Sequence, residues 1–129
     1  MSDRKKNGDK SEAIFLMKSV LSEYQISKPF SEDCAYDYIL DDGSNLNKIQ
    51  VKTAYDTIQR GKSIIMCELR RVNNKKENQK YKKGDYDYLV AIHIKTKDMW
   101  YIPYNDIQDK KCGICLSSEK WDKYKKWKI

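Results

Sequence analysis

Histidine, proline and glycine are scarce in this 129-residue chain, at 1, 2 and 5 residues, and each shortage excludes something. No stretch is rich in proline or glycine and no internal repeat recurs, so no linker divides the sequence, and the length suits one compact domain. His93, the only histidine, sits in the apolar run 89–94 with no histidine or cysteine beside it. It reads as an ordinary strand residue, because a lone imidazole needs partners to hold a metal. No apolar run is long enough to span a bilayer, and the basic start is not followed by a signal-peptide core. A soluble, cytoplasmic protein with no membrane partner is therefore expected. The 4 cysteines, Cys34, Cys67, Cys112 and Cys115, form no secreted disulfide framework, since two stand alone in apolar segments. Cys112-Gly113-Ile114-Cys115 has the spacing of half a zinc site, but the second half is missing. A turn carrying two semi-buried thiols is the reading.

Charge, by contrast, is abundant. Asp, Glu, Lys and Arg make up 35% of the chain, with a formal net charge of +7. The excess lies in residues 4–6, 70–83 and 120–128. Lysine or arginine beside a phosphate releases condensed counterions, so such a surface favours nucleic acid; a solvated charged face has the same composition. Apolar residues cluster in 13–21, 64–69 and 89–94, which predicts one buried core with long polar insertions rather than disorder.

Residues 1–7 are polar and expected to be a flexible N-terminus, with a single domain over 8–129. Asp9 or Ser11 is a plausible helix cap. Ala13, Leu16, Met17, Val20, Leu21 and Tyr24 recur at helical spacing, predicting an amphipathic helix over 11–23. Segments 36–41 and 46–53 are strand-like and separated by Asp42-Gly43-Ser44-Asn45, a hairpin signal. Further strands are predicted over 63–69, 88–95 and 99–102, the last two antiparallel. Residues 71–84 read as an exposed basic loop, 105–108 as a helical turn, 114–116 as a short extended piece, and Ser117 or Ser118 as the cap of a final helix. The fold class is α/β (α+β), with a mixed central sheet flanked by helices.

The chemistry lies across the first hairpin. Alternate side chains share a strand face, so Gln50 and Lys52 point together while Ile49 and Val51 enter the core. A hairpin centred between Gly43 and Ser44 sets Asp37 opposite Gln50, about 5 Å apart at Cβ. A carboxylate, an amide oxygen and an ammonium then meet on one patch, though local charge pairing across a strand gives the same arrangement.

A helix carrying Glu12, in Gly8-Asp9-Lys10-Ser11-Glu12, then Tyr36-Asp37, a hairpin, and Gln50-Val51-Lys52-Thr53, resembles the PD-(D/E)XK nuclease superfamily. Within it the sequence is most similar to the cyanobacterial group I intron homing endonuclease type, and more distantly to archaeal Holliday junction resolvases. The likeness extends to Asp85-Tyr86-Asp87-Tyr88-Leu89-Val90 and Trp100-Tyr101-Ile102-Pro103. It implies a restriction-endonuclease-like core and a metal-dependent endodeoxyribonuclease, with Glu12, Asp37, Gln50 and Lys52 catalytic. Glu12, Asp37 and Gln50 would hold Mg²⁺, or Mn²⁺ in its place, with no organic cofactor. Tyr36 stands where the signature has proline, which is no ligand. Gln50 replaces the usual acid and brings a carbonyl oxygen without charge. Glu12 alone has a simpler role, since an acid in a first helical turn complements the helix dipole.

The loops 54–62 and 70–84 are the expected contacts to double-stranded DNA, through Arg60, Lys62, Arg70, Arg71, Lys75, Lys76, Lys80, Lys82 and Lys83. Tyr81, Tyr86 and Tyr88 flank the second loop. Stacking on bases is one reading, and cover for a half-buried sheet is the other. Trp121, Tyr124, Trp127 and Lys128 are spaced to dock on the domain or on another subunit. A site-specific homing-type endonuclease acting as a homodimer or homotetramer is expected. The alternatives are a structure-specific junction resolvase and a DNA-binding subunit with a degenerate site.

Overall fold

A computed structural model describes residues 3–72 and 78–126. Its long helix, α1 (Asp3–Leu21), starts two turns before the predicted Ser11 and contains both expected caps. Residues 3–7, expected to be loose, are helical: no proline interrupts them, Asp3 complements the dipole in the first turn and Lys18 in the last.

The face of the helix on the sheet is only partly the one its apolar pattern selects: of that pattern Leu16 and Tyr24 pack against the core. Ser11, Phe15, Lys18 and Ser19 are buried, while Met17, Val20 and Leu21 are exposed at 41%, 64% and 57%. Packing decides this. Phe15 meets Tyr38 with ring centroids 5.7 Å apart, and small serines let the backbone close on the sheet. Ser11 Oγ lies 2.7 Å from Thr53 Oγ1, and Ser19 donates to the Phe15 carbonyl.

Ten strands come after it among the described residues: β1 (Gln25–Ser27), β2 (Tyr38–Asp41), β3 (Leu46–Gln59), β4 (Lys62–Glu68), β5 (Arg70–Val72), β6 (Asn78–Lys80), β7 (Tyr88–His93), β8 (Met99–Pro103), β9 (Gly113–Cys115) and β10 (Lys125–Lys126). Eight form one mixed sheet, in the order β1-β2-β3-β7-β8-β10 with β4 added to β3 and β9 to β4; β5 and β6 pair apart. β3 and β7 are parallel, and the other described pairs are antiparallel. The first hairpin has the expected register, Tyr38 opposite Ile49 and Leu40 opposite Asn47. Asp42 Oδ1 closes its turn by accepting from the backbone N–H groups of Ser44 and Asn45.

Three segments depart from expectation. Residues 54–62 are not a loop: β3 runs on to Gln59 and turns back through Arg60 and Gly61, at φ 51° and 78°. Two positive φ values in a two-residue turn match the strand twist, and the β-formers Tyr55, Thr57 and Ile58 continue the ladder. The basic insertion is partly ordered as the β5–β6 ribbon. The predicted final helix is a 3₁₀ segment, Glu119–Tyr124, with no side-chain cap from Ser118; Ser117 Oγ instead accepts from Ile65 N–H.

Each sheet face carries a core. On the α1 side Phe15 packs with Tyr38, Leu40, Ile49, Val51, Val90 and Ile92. On the other, Leu69, Tyr81, Tyr86, Leu89, Trp100 and Trp121 pack together. β7 is buried on both faces from Leu89 to His93, as a central strand with a parallel neighbour should be. No helix among the described residues is long and apolar enough to cross a membrane.

Candidate active site

The site arises from a break in pairing along β3. One edge of β3 pairs β7 over residues 49–54; the opposite edge pairs β2 over 46–49 and β4 over 54–59. Residues 50–53 therefore have no described strand on that second edge. Backbone groups there need other partners, and Asp37 supplies one. Its N–H donates to the Ile49 carbonyl at 2.8 Å, continuing the hairpin, and its Oδ2 accepts from Val51 N–H at 2.8 Å. The carboxylate stands where the next strand would have been.

Gln50 lies beside it, with Nε2 donating to the Val51 carbonyl at 3.3 Å. That orientation leaves Oε1 as the outward acceptor of the amide. Lys52 shares the Gln50 face. Its Nζ donates to the Arg70 carbonyl at 2.8 Å and sits 5.3 Å from the centre of the Tyr81 ring. Burial lowers the Lys52 pKa, and the Cys67, Asp37 and Glu68 side chains oppose that shift. Glu12 reaches the site from α1, with Oε1 accepting from the Tyr38 hydroxyl at 2.8 Å.

Electrostatics ties these groups together. Burial, aided by the Glu12 charge, lifts Asp37 from 3.8 to about 6 against the Val51 hydrogen bond and the Lys52 and Lys28 charges. Desolvation and a neighbouring carboxylate both disfavour the ionised form. Each of the two carboxylates still has one oxygen free of the hydrogen bonds just described, and Gln50 offers a third. Hard cations prefer such oxygen donors, so the set fits a divalent ion. Among the described residues no group of three or more His, Cys, Asp or Glu side chains is poised to hold a metal; two carboxylates and an amide make up this one.

A cleft of about 520 Å³ opens beside the unpaired edge, lined by Gln50, Lys52 and Thr53 on β3, Arg4 and Gly8 on α1, and Glu68 on β4, among others. Sequence reasoning missed the parts of Tyr38, Arg4 and Glu68, and had Tyr81 as a base platform or sheet cover rather than as a neighbour of Lys52. For Tyr38 there was a signal: it sits next to Asp37 on a strand and so points to the opposite face, toward the helix. The others come from distant segments and left none.

The expected DNA contacts divide. Arg70 and Arg71 are near the site, Arg70 with its guanidinium 3.6 Å from Cys112 Sγ and Arg71 3.7 Å from Asp33. Arg60 and Lys62 are exposed at the tip of the β3–β4 hairpin, roughly 25 Å along the strand from Lys52. Lys80, at the end of the β5–β6 ribbon, and Lys82 and Lys83 just after it are exposed. Lys75 and Lys76, like Trp127 and Lys128, lie outside the described residues. Tyr81 and Tyr86 are buried edge-to-face at 5.1 Å, and Tyr88 stacks on Tyr101 at 4.3 Å, which is sheet cover rather than a base platform. Trp121 is buried against the domain.

The remaining candidates have structural roles. His93 Nε2 is 3.0 Å from Asp56 and Nδ1 2.8 Å from Thr96 Oγ1, so both ring nitrogens are engaged. All 4 cysteines are free thiols, and burial pushes Cys67 up to about 12, which keeps it neutral.

A family model, PD-(D/E)XK endonuclease, matches residues 2–128. No curated protein gives a significant match. Among solved structures, the fold is similar to that of a bacterial homing endonuclease, I-Ssp6803I, with a TM-score of 0.82 at 20% sequence identity, over 96% of this chain and 89% of that one.

Proposed function

Since the chain belongs to the PD-(D/E)XK endonuclease family, we propose that it is a Mg²⁺-dependent DNA endonuclease of site-specific homing type, with Glu12, Asp37, Gln50 and Lys52 as its catalytic residues. One observation carries the assignment. The four-residue gap on the β3 edge gathers the Asp37 carboxylate, the Gln50 amide and the Lys52 ammonium beside an open cleft. The similarity to a homing endonuclease supports the site-specific reading.

Asp37, Gln50 and Glu12 would hold the cation, Mg²⁺ or Mn²⁺. A cation so bound supplies a Lewis acid for the phosphate and lowers the pKa of a coordinated water. The protein's own part is orientation. Val51 N–H fixes Asp37, and the Tyr38 hydroxyl fixes Glu12. The Arg70 carbonyl and the Tyr81 ring hold the Lys52 ammonium. Two of its three N–H donors remain for the phosphate oxygens or the attacking water. The exposed basic side chains Arg60, Lys62, Lys80, Lys82 and Lys83, with Arg70 and Arg71, would contact the duplex backbone.

Cutting both strands needs two such sites, which one copy of the chain does not supply. A homodimer or homotetramer meets that need, and the outward face of α1, with Met17, Val20 and Leu21 exposed, is the surface for it.

Plasmid nicking with Mg²⁺ tests the reading. The parent is expected to cut, while Asp37→Ala and Lys52→Ala lose at least about 100-fold in rate. Variants that cut like the parent would refute the site. Tight, salt-sensitive binding without product would instead indicate a DNA-binding subunit, and a strong preference for four-way junctions over linear duplex a resolvase.

A further inference from the structure

Not all of the inner face of α1 lies on the sheet. Ser11, Phe15 and Lys18 pack against it, and Arg4 and Gly8, on the same helical face, overhang the cleft beside Lys52. We propose that this cleft binds a backbone phosphate of the DNA, with Arg4 as its anion-binding side chain and Glu68 as the group that parks Arg4 until a phosphate displaces it. The proposal deepens the endonuclease reading and rests on it for the identity of the ligand.

Four observations converge. First, the cleft holds two cations, Arg4 and Lys52, from elements far apart in sequence, and its volume of about 520 Å³ falls within the usual span of small-ligand sites, about 300–1,000 Å³. Second, Arg4 reaches Glu68 across 3.2 Å, with the side chains 79% and 56% exposed. Such a bridge in water holds weakly, whereas a guanidinium binds phosphate through paired, charge-assisted hydrogen bonds. An incoming phosphate therefore out-competes the carboxylate. Third, Gly8 lies inside α1, where alanine is preferred, yet a Cβ built there meets nothing within 4 Å. Packing does not require this glycine; it leaves the helix surface low where a ligand would approach. Fourth, the wall is anchored, since Thr53 Oγ1 lies 2.7 Å from Ser11 Oγ and donates to the Asn7 carbonyl at 3.4 Å.

The test measures binding of a labelled random-sequence duplex to the full chain in EDTA, across a salt series. Arg4→Ala is expected to weaken binding about tenfold at low salt and to reduce the slope of log affinity against log salt by about one, as losing one phosphate contact does. Glu68→Gln is expected to tighten binding a few-fold by freeing Arg4. The double variant should regain little of what Arg4→Ala loses, because Glu68 acts chiefly through Arg4, 3.2 Å away, and its charge acts on Lys52 only at longer range. Lys95→Ala, which removes the same charge from an exposed position just after β7, is the control for net charge and should leave the slope nearly unchanged. An unchanged slope in Arg4→Ala, an equal drop in Lys95→Ala, or weaker binding in Glu68→Gln each overturns the proposal. Circular dichroism of Arg4→Ala checks that α1 persists; should it unravel, Arg4→Gln, which keeps a helix-favouring side chain, must give the same slope loss for the proposal to stand. Because the readout needs no cleavage, a parent that never cuts would overturn the endonuclease reading separately.

Discussion

Replacing Asp37 with asparagine should make the metal-free protein more stable at neutral pH while abolishing its cleavage. Burial, with the Glu12 charge behind it, holds the Asp37 carboxyl at about 6, against 3.8 in an unfolded chain. The folded state thus holds this proton more tightly than the unfolded state. Below pH 3.8 no stability is lost through Asp37; as pH rises through about 6 the loss becomes complete. A shift from 3.8 to about 6 corresponds to about 3 kcal/mol at 1.36 kcal/mol per unit. The amide that Asp37→Asn introduces cannot ionise, and its oxygen can still accept from Val51 N–H, so the one hydrogen bond that matters for folding survives. In EDTA, urea unfolding at pH 8 should find Asp37→Asn more stable by about 1–3 kcal/mol, or about 3–10 °C in Tm. At about pH 4 the two proteins should nearly coincide. Adding Mg²⁺ at pH 8 should raise the stability of the parent and leave the variant nearly unmoved. Parallel pH profiles, or a variant less stable at pH 8, would refute the argument that Asp37 is a strained, ion-seeking carboxylate.

Three further outcomes are expected from the same geometry. Gln50→Glu adds a third carboxylate to the set and should tighten Mg²⁺ or Ca²⁺ binding about tenfold or more by calorimetry; weaker binding would mean that Gln50 does not face the cation. Tyr38→Phe keeps the contact with Phe15 but frees Glu12, and should cost about 1 kcal/mol of stability together with a loss of cation affinity, whereas an unchanged affinity would remove Glu12 from the site. Val20→Asp combined with Leu21→Glu should shift the protein to monomer in sedimentation while circular dichroism shows it still folded, since both side chains are exposed; an unaltered assembly would place the subunit interface elsewhere.

The sequence by itself determined the features that arise at short range. Asp42-Gly43 and the alternation on either side set the first hairpin, and its register put Asp37 and Gln50 together, because a two-strand ladder is fixed once its turn is fixed. The antiparallel pairing of β7 and β8 was legible for the same reason. Tertiary structure decided whatever depends on partners far along the chain. Which face of α1 is buried could be read only in part from its apolar spacing, because the sheet accepts Phe15 and two serines and leaves Met17, Val20 and Leu21 outside. That β3 should run 14 residues and change neighbours midway, opening an edge at 50–53, depends on β2 stopping and β4 starting at different heights. Local propensity carries no record of that. Arg4 and Glu68 meet across 64 positions of sequence, and only the folded chain brings a distance of that kind down to a hydrogen bond.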